Sequence, residues 1–458
     1  MQASRTPATI FLLSGTLLLL ILSFLSEGSY GGEDSFMHYL FARYAPAHPL
    51  LFLDHWGKPL FTMLSSPFAA FGFQGIKVFN ILCVSATAWI GFEIANSQQW
   101  KHAYLAIPLI LFNPLFFVTG MSGLTEPLFA LILCGGVLLW IQKKYLSACL
   151  LISFLPFARS EGNLMIAFFF GMTLLEKKWK PLPFLLTGTL VFSLIGGVLK
   201  NDFLWLRTEN PYQGAEEIYG RGEWLHFIRA NKEIFGVPQS ILVLIGGVGL
   251  MFRIFIQKNW DNFKIFAMIA GPFLVYFLAH TIFWKFGLFG SFGLIRVMAA
   301  VVPLASLMAV FGFQFVTQFI PTNYRFINYF ILYIPLAFVI YDPFFQYRLP
   351  YPLDERQTLM KGVAQWLPKE KIDRVYAAHP YFFHAAQIDI FDTQKRRPLE
   401  ACLHESLSSS DLIVWDNQFG PNECGMKSGW QDSLPIHRIA RLEEGGSVVE
   451  LYRRKPYE

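Results

Sequence analysis

Charged residues are scarce in this chain. Only 15% of its 458 residues are Asp, Glu, Lys or Arg, against about 25% in a typical soluble domain. Hydrophobic residues make up 54%, with 48 Phe and 12 Trp, and they gather in runs near the ~20 residues that cross a bilayer. This composition excludes an ordinary soluble protein. The formal net charge of +5 is small, so no nucleic acid is expected as a partner.

Several familiar catalytic patterns are absent from the sequence. There is no Walker A loop and no glycine-rich turn between a strand and a helix, so nucleotide binding by those routes is unsupported. No Ser-His-Asp signature or Cys/His zinc spacing is present. Of the five cysteines, Cys83, Cys134 and Cys149 fall in apolar runs. Cys402 and Cys424 lie in a polar C-terminal region, where they are either free or joined in a disulfide.

Long apolar runs predict a polytopic α-helical membrane protein with about 11 transmembrane helices. A further apolar stretch, 59–72, is broken by Pro59, Pro67 and Gly72, which favours an interfacial helix over a span. The two short runs on either side of Arg159 are separate spans or one broken helix pair that meets at a polar site. The runs cover residues 6–26, 75–95, 103–119, 126–142, 145–157, 162–175, 182–199, 237–256, 265–284, 294–318 and 326–342.

Lysine and arginine between the runs set the predicted orientation. With Arg5 in the cytoplasm, the cytoplasmic segments hold about eleven Lys or Arg in roughly 40 residues, and the opposite segments about ten in roughly 90. The N-terminus is then cytoplasmic, while the first outer loop (27–74), a second long loop (200–236) and the polar region 343–458 lie outside. We expect a multi-pass protein of a bacterial inner membrane, with residues 1–342 as its membrane domain.

The first outer loop contains a short polar loop, residues 31–39, directly after the first apolar run. Two glycines precede the adjacent carboxylates Glu33 and Asp34, and His38 and Tyr39 follow shortly after. An acidic pair beside a bilayer is costly unless it faces water or a partner. We interpret this segment as the catalytic loop of a membrane enzyme. The alternative is an ordinary solvated loop.

Other polar residues gather on the same predicted outer side, which makes them candidate substrate-binding residues. Some have a structural alternative, since Glu126 follows Thr125 at a predicted helix start, where both residue types are favoured. Arg159 and Glu161 could form a structural salt bridge, and Arg296 could reach towards the membrane interface. The candidate set is His38, Tyr39, Asp54, His55, Lys58, Glu126, Arg159, Glu161, Arg221, Lys285 and Arg296.

The C-terminal region 343–458 is polar and contains no run long enough to span a bilayer, which predicts a small extracytoplasmic α/β domain. Its clearest strand signal is the apolar run 412–415, and a Glu-Glu-Gly-Gly turn at 443–446 joins the arms of a predicted hairpin. Predicted helices cover 358–366 and 399–408, and predicted strands cover 373–378, 411–416, 436–442 and 448–453.

The outer placement of the carboxylates limits the chemistry. That compartment normally lacks nucleotide-activated substrates, so an outward-facing transferase needs its activated group delivered on a lipid. A polyprenyl-phosphate sugar meets this need, because its tail lies among the spans and its phosphate is the leaving group. The reaction requires a carboxylate that takes a proton from the acceptor hydroxyl, cations near the phosphate, and a groove for the prenyl chain.

The sequence also resembles the type C (GT-C) membrane glycosyltransferases over about residues 1–342. These include mannosyltransferases that use dolichyl- or polyprenyl-phosphate mannose, protein O-mannosyltransferases and aminoarabinose transferases. The acidic pair Glu33-Asp34 with its following His-Tyr is similar to their first outer loop. The segment 122–129, Ser-Gly-Leu-Thr-Glu-Pro-Leu-Phe, is similar to a Ser-Gly-x-x-Glu-x-Leu-Phe stretch, and 159–162 resembles an Arg-x-x-Gly turn.

The resemblance implies an inverting transfer in which one acidic residue of the first loop is the base. Many members have Asp-Glu in that order, whereas this chain has Glu33-Asp34. Asp34 is favoured because the spacing to the His-Tyr pair is counted from it. Some members bind a divalent metal through loop carboxylates and a histidine. A Mg²⁺ or Mn²⁺ ion held by Glu33, Asp34 and His38 is therefore implied by the resemblance alone.

The expected partners are a polyprenyl-phosphate sugar donor, with mannose as one candidate sugar, a lipid, glycan or protein acceptor, and membrane lipids. The alternative is a multi-pass transporter or flippase of a lipid-linked or small anionic substrate. A transporter usually has repeated halves and polar residues near the bilayer midplane. Here no internal repeat is visible and the polar residues gather at one face, which favours the glycosyltransferase.

Overall fold

The computed structural model of the chain describes residues 5–209, 220–257, 260–319, 325–367, 372–427 and 429–455. Residues 210–219 of the predicted second outer loop lie outside the described residues, as do 320–324 before the last predicted span. The helices before the C-terminal domain are Arg5–Leu25, Gly32–Tyr44, Pro59–Ala69, Phe73–Ser97, Ala106–Leu111, Pro114–Gly120, Glu126–Ile141, Tyr145–Ile152, Leu155–Ala158, Gly162–Leu175, Thr187–Lys200, Trp205–Thr208, His226–Arg229, Asn231–Phe235, Val237–Gln257, Trp260–Phe286, Val302–Thr317 and Arg325–Gln346. Short 3-10 helices are Pro49–Leu53, Ala103–Leu105, Leu182–Leu186, Leu288–Gly290 and Ile295–Ala300.

Four of the described helices are long and apolar enough to cross a bilayer: Arg5–Leu25, Phe73–Ser97, Leu182–Lys200 and Phe263–Phe286. A fifth candidate is a pair, Ala103–Leu111 and Pro114–Gly120, bent by 66°. The bend arises because Pro114 cannot continue the first helix. The Asn113 side chain then caps the second helix by accepting a hydrogen bond from the Phe116 N–H at 3.0 Å.

The other predicted runs coincide with shorter apolar helices. These are Glu126–Ile141, Tyr145–Ala158, Gly162–Leu175, Val237–Phe252, Val302–Thr317 and Leu332–Gln346. The chain is therefore a helical multi-pass protein, as its composition predicted. The total of eleven spans and their sidedness stay predictions. The last helix continues past the predicted boundary at 342, to Gln346.

Residues 27–74, called the first outer segment after their predicted side, differ from the prediction as a loop, because they are helical from Gly32 to Tyr44. Gly31 and Gly32 have φ of +85° and +51°, a left-handed conformation that lets the chain turn sharply out of the preceding helix. Glu33 and Asp34 then occupy the first turn, where their negative charge is favoured by the helix dipole. A helix is present at Pro59–Ala69, and its interfacial position stays a prediction.

The region around Arg159 has the form of a broken helix pair. The helix Leu155–Ala158 ends at Arg159, whose backbone is extended, and a new helix starts at Gly162. A Cβ at Gly162 would lie 2.3 Å from the backbone carbon of Leu155, so the tight approach of the two segments requires glycine there. The break places polar side chains between two apolar helices.

The C-terminal domain contains a five-stranded mixed sheet of order β2-β1-β3-β5-β4. Strands β1, β2 and β3 are parallel, and β5 pairs antiparallel with β3 and β4. The small α/β prediction is confirmed for the described residues, although 399–408 contains only a 3-10 helix. Cys402 and Cys424 are both free. The strands are β1 (Val375–Tyr376), β2 (Arg396–Arg397), β3 (Leu412–Asp416), β4 (Ile436–Glu444) and β5 (Ser447–Arg454), with helices Glu355–Trp366, Pro380–Ala386 and Phe419–Asn422 and 3-10 helices Leu399–Leu403 and Trp430–Ser433.

This domain is joined to the first outer segment by backbone as well as side-chain contacts. The Gly28 N–H donates to the Tyr351 carbonyl at 3.0 Å, and the Tyr351 N–H donates to Ser26 Oγ at 2.7 Å. The helix Pro380–Ala386 packs directly on the helix Gly32–Tyr44. The domain therefore lies against the helix that carries the acidic pair.

Cysteine labelling tests the predicted sidedness. Ala47 in the first outer segment and Glu444 at the hairpin tip are exposed. We expect Ala47→Cys and Glu444→Cys to react with an impermeant thiol reagent outside intact cells. Gln142, exposed on the predicted cytoplasmic side, supplies the control, since Gln142→Cys should react only after the membrane is opened. A Cys424→Ser background removes the least buried native thiol. Labelling of only one outer position would contradict the predicted orientation.

Candidate active site

The site is supported by the helix Phe73–Ser97, whose buried polar side chains hold two neighbouring segments. The Lys77 ammonium donates to the carbonyls of Ser26 at 3.0 Å and Gly28 at 3.1 Å. These bonds fix the chain just before the acidic pair. Lys77 is fully buried, so the two carbonyls offset part of the cost of burying its charge.

One turn further along the same helix, Asn80 holds the segment that leads to Glu126. Its amide donates to the carbonyls of Ser122 at 2.7 Å and Leu124 at 2.8 Å. The glycine between them, Gly123, packs on the helix Gly32–Tyr44, since a Cβ there would lie 2.2 Å from the Ser35 carbonyl oxygen. This close approach brings the start of the helix Glu126–Ile141 beside Asp34.

The central contact of the site joins Asp34 to Arg296, whose Nη2 donates to Asp34 Oδ2. Arg296 also lies close to Gly31, with Nη1 donating to its carbonyl at 3.4 Å, and its Nε is 3.9 Å from Glu126 Oε1. The Asp34 side chain remains 41% exposed. The pair therefore combines an accessible carboxylate with a cation that also contacts Gly31 and Glu126.

A buried ion network lies directly behind this pair. Glu126 is fully buried, and its Oε1 is 2.7 Å from Arg159 Nη1. Arg159 also donates to Glu161 Oε1 at 2.7 Å and to Thr125 Oγ1 at 3.0 Å. Burial alone would raise the pKa of Glu161, but the Arg159 guanidinium holds this pKa down at about 2. Thr125 is the N-cap residue of this helix but makes no side-chain cap, while Glu126 and Pro127 do lie in the first turn, so the helix-start alternative is met in part.

Two members of the network come from the helix Trp260–Phe286 and were not predicted. Tyr276 donates to Glu161 Oε1 at 3.5 Å, and His280 Nε2 lies 3.8 Å from the same oxygen. Both residues sit within a long apolar run, where a polar side chain is rare and usually functional. That rule was the available signal for them.

Lys58 provides a second cation near the site. Its side chain is 7% exposed, and its Nζ lies 3.1 Å from Ser160 Oγ, beside Arg159 in the chain. Lys58 has a φ of +63°, which is uncommon for a residue with a side chain. The neighbouring Asp54 and His55 make structural contacts. Asp54 Oδ1 accepts a hydrogen bond from the Gly57 N–H at 2.7 Å, and His55 packs on Trp205.

His38 and Tyr39 point into packed regions. The His38 ring stacks on Trp56 with centroids 4.7 Å apart and meets Phe61 edge-on. Burial lowers the pKa of His38 to about 3, so the ring is neutral at physiological pH. Tyr39 packs against Phe73. Both residues contribute to the packing of the helix Gly32–Tyr44.

The three proposed metal ligands do not converge. Asp34 faces Arg296, Glu33 faces His379 at 3.4 Å, and His38 is stacked between aromatic rings. Across the part of the chain that the structure describes, no group of three or more His, Cys, Asp or Glu side chains could hold a metal ion. The arrangement does not fit a bound divalent metal, and no step is assigned to one.

Arg221 and Lys285 lie at the glycine-rich turn that precedes Arg296. Gly222 donates its N–H to the Trp284 carbonyl at 3.0 Å, which places Arg221 next to the end of the helix Trp260–Phe286. Arg221 is exposed and Lys285 is half-buried. Among the contacts of the described residues, none joins either side chain to Asp34.

Comparison with known proteins identifies the fold. No protein-family model and no curated protein matches the sequence. The crystal structure of ArnT from Cupriavidus metallidurans bound to undecaprenyl phosphate matches with a TM-score of 0.60 and 9% identity, over 98% of each chain. ArnT from the same organism in the apo state matches with a TM-score of 0.61 and 10% identity, again over 98% of each chain. This chain has the ArnT fold.

The match with ArnT confirms the resemblance to type C glycosyltransferases at the level of the fold. It extends across the membrane helices and the C-terminal domain, because it covers 98% of the chain. Within this ArnT fold, five predicted residues form one contact group behind and around the accessible carboxylate, and Lys58 lies next to it through Ser160. The five are Asp34, Glu126, Arg159, Glu161 and Arg296, to which Tyr276 and His280 are added.

Proposed function

We propose that the protein is a membrane glycosyltransferase that moves a sugar from a polyprenyl-phosphate donor to an acceptor hydroxyl. The observation that carries this proposal is the accessible Asp34 carboxylate in contact with the Arg296 guanidinium, placed at the ends of apolar helices in an ArnT fold. ArnT has been crystallised with undecaprenyl phosphate, which supports a lipid of the same class as the donor here. Mannose remains one candidate sugar.

Asp34 is suited to act as the base. Its side chain is 41% exposed, whereas that of Glu126 is fully buried. Glu161 is committed to Arg159 at 2.7 Å. An acceptor hydroxyl can therefore reach Asp34 and lose its proton to Oδ1 or Oδ2 as its oxygen attacks the anomeric carbon.

The bond between the anomeric carbon and the phosphate oxygen breaks in the same step, on the opposite side, so the sugar configuration inverts. The leaving polyprenyl phosphate gains one negative charge. Arg296, which contacts Asp34, can stabilise this charge. Lys58 is a second candidate, since it acts on His38 together with Asp34 and Arg296. Arg296 touches Asp34 directly, so a bound donor phosphate would compete with the base for the same guanidinium.

The buried network fixes the position of these groups. Glu126 lies between Arg296 and Arg159. Its negative charge offsets the repulsion between the two positive guanidinium groups. Arg159 is held further by Glu161 at 2.7 Å.

A donor panel tests the proposed function. The purified protein is incubated with polyprenyl-phosphate sugars, including mannose, in liposomes that contain a mixed lipid and glycan acceptor extract. We expect at least one donor to be converted to free polyprenyl phosphate, which mass spectrometry detects, with none released in protein-free liposomes. Movement of intact donor between leaflets without cleavage would instead favour the transporter alternative and overturn the transferase.

A further inference from the structure

The C-terminal domain places a histidine beside the first carboxylate of the acidic pair. Strands β1 and β3 are parallel, so their carboxyl ends lie at the same edge of the sheet, where α/β folds usually bind ligands. His379 follows β1 and directly precedes the helix Pro380–Ala386, and Asp416 ends β3. This edge of the sheet faces Glu33.

The contact between the two side chains is buried. His379 Nε2 lies 3.4 Å from Glu33 Oε1, and His379 is 1% exposed. Among the described residues, neither ring nitrogen of His379 nor Glu33 Oε1 makes a hydrogen bond. Buried polar atoms without a partner are costly, and for these atoms the facing group is the nearest ionisable side chain that can offset the cost.

The pKa shifts of the pair keep the histidine neutral. Burial raises the pKa of Glu33 and lowers the pKa of His379 to about 3. The neutral imidazole can donate its N–H to the carboxylate or accept a hydrogen bond from the protonated acid. The other groups that act on Glu33 are Asp354, Arg356 and Gln357 of the C-terminal domain, and Glu423 lies close enough to respond to both Glu33 and Asp34.

We propose that His379 is a positioning residue, which fixes the Glu33 carboxyl beside Asp34 so that the C-terminal domain completes the active site. This inference rests on the proposed glycosyltransferase function. Glu33 and Asp34 are adjacent in the first helical turn, so a contact that holds Glu33 also holds the turn from which Asp34 projects towards Arg296.

The same interface contains a contact that joins the two parts of the chain without touching the acidic pair, and this contact provides a control. His48 Nε2 lies 2.8 Å from Asp389 Oδ2, which joins the first outer segment to the C-terminal domain. Neither residue contacts Glu33 or Asp34 in the described structure. Loss of Asp389 should therefore loosen the interface without acting through the acidic pair.

A double-mutant cycle tests whether His379 acts through Glu33. We expect His379→Ala to lower transfer about tenfold in an otherwise native protein, and to have almost no further effect in a Glu33→Gln background. His379→Gln, whose amide nitrogen reaches the position of Nε2, should restore most of the rate. His379→Asn, which mimics Nδ1, should not. Asp389→Asn should give the same fold-change with and without Glu33→Gln.

Each result decides a separate point. If wild-type protein transfers sugar but the losses from His379→Ala and Glu33→Gln multiply, His379 only supports the fold and the positioning role is overturned. The same holds if His379→Asn rescues as well as His379→Gln. If wild-type protein cleaves no donor in the panel, the proposed function fails and the positioning role fails with it. Thermal unfolding in detergent, run on every variant, separates lost activity from lost folding.

Discussion

Asp34→Asn is expected to reduce sugar transfer by about 10²- to 10⁴-fold, the usual scale for removal of a catalytic acid or base. The amide keeps the size of the side chain and can still accept a hydrogen bond from Arg296, but it cannot take a proton from the acceptor. Donor binding should change little or improve slightly, because Arg296 is released from its carboxylate partner. Initial rates across a donor series, together with donor affinity, measure both effects.

Glu33→Gln is the matched control for this change, because it makes the same carboxylate-to-amide replacement one residue earlier. We expect a smaller loss, since Glu33 faces His379 and not the accessible opening. Near-native transfer by Asp34→Asn with loss of activity in Glu33→Gln would reverse the assignment within the pair. If both variants remained fully active, the acidic pair would be structural.

Arg296→Ala is expected to weaken both donor affinity and the rate, with a combined loss of about 10² to 10³ in kcat/KM. Loss of a buried hydrogen-bonded charge typically costs 2–5 kcal/mol, and this cation acts before and during bond breaking. Arg296→Lys should recover only part of this loss, because an ammonium cannot contact Asp34 and Gly31 with the geometry of a guanidinium. Steady-state kinetics with varied donor separates the two parameters.

Arg43→Ala serves as the control for Arg296→Ala. Arg43 is an exposed arginine on the helix that carries Asp34, and its Nη1 donates to the Ala70 carbonyl at 2.8 Å. We expect native kinetics from this variant, which would show that loss of a nearby positive charge is not enough. An Arg296→Ala protein with an unchanged donor KM would contradict a role in holding the phosphate.

The membrane architecture was largely predictable because it follows from length and hydrophobicity, which are local properties. The acidic pair was also found from sequence, since Glu33 and Asp34 are adjacent and stand out beside an apolar run. What the sequence could not supply was the pairing of Asp34 with Arg296, which are 262 residues apart. Only the packing of several helices brings these side chains together.

The assignments that differ share a physical cause. His38 and Tyr39 have polar side chains, which suggested a binding role, but the helix directs them towards Trp56 and Phe73. The Gly-Gly pair was interpreted as part of a loop, whereas its positive φ angles start a helix. His379 was visible in the sequence, but a strand end in a separate domain gave no reason to place it beside Glu33.

The hydrogen bonds from the helix Phe73–Ser97 to its neighbours affect how this fold tolerates substitutions. Lys77 and Asn80 bind backbone carbonyls at four positions, and every amino acid supplies a carbonyl. Most residues whose carbonyls accept these bonds can therefore be substituted without loss of the bonds. The two donor residues and Gly123 cannot be substituted in the same way. A scaffold fixed in this way can keep its shape while most of its side chains are replaced, which is compatible with a shared fold at 9% identity.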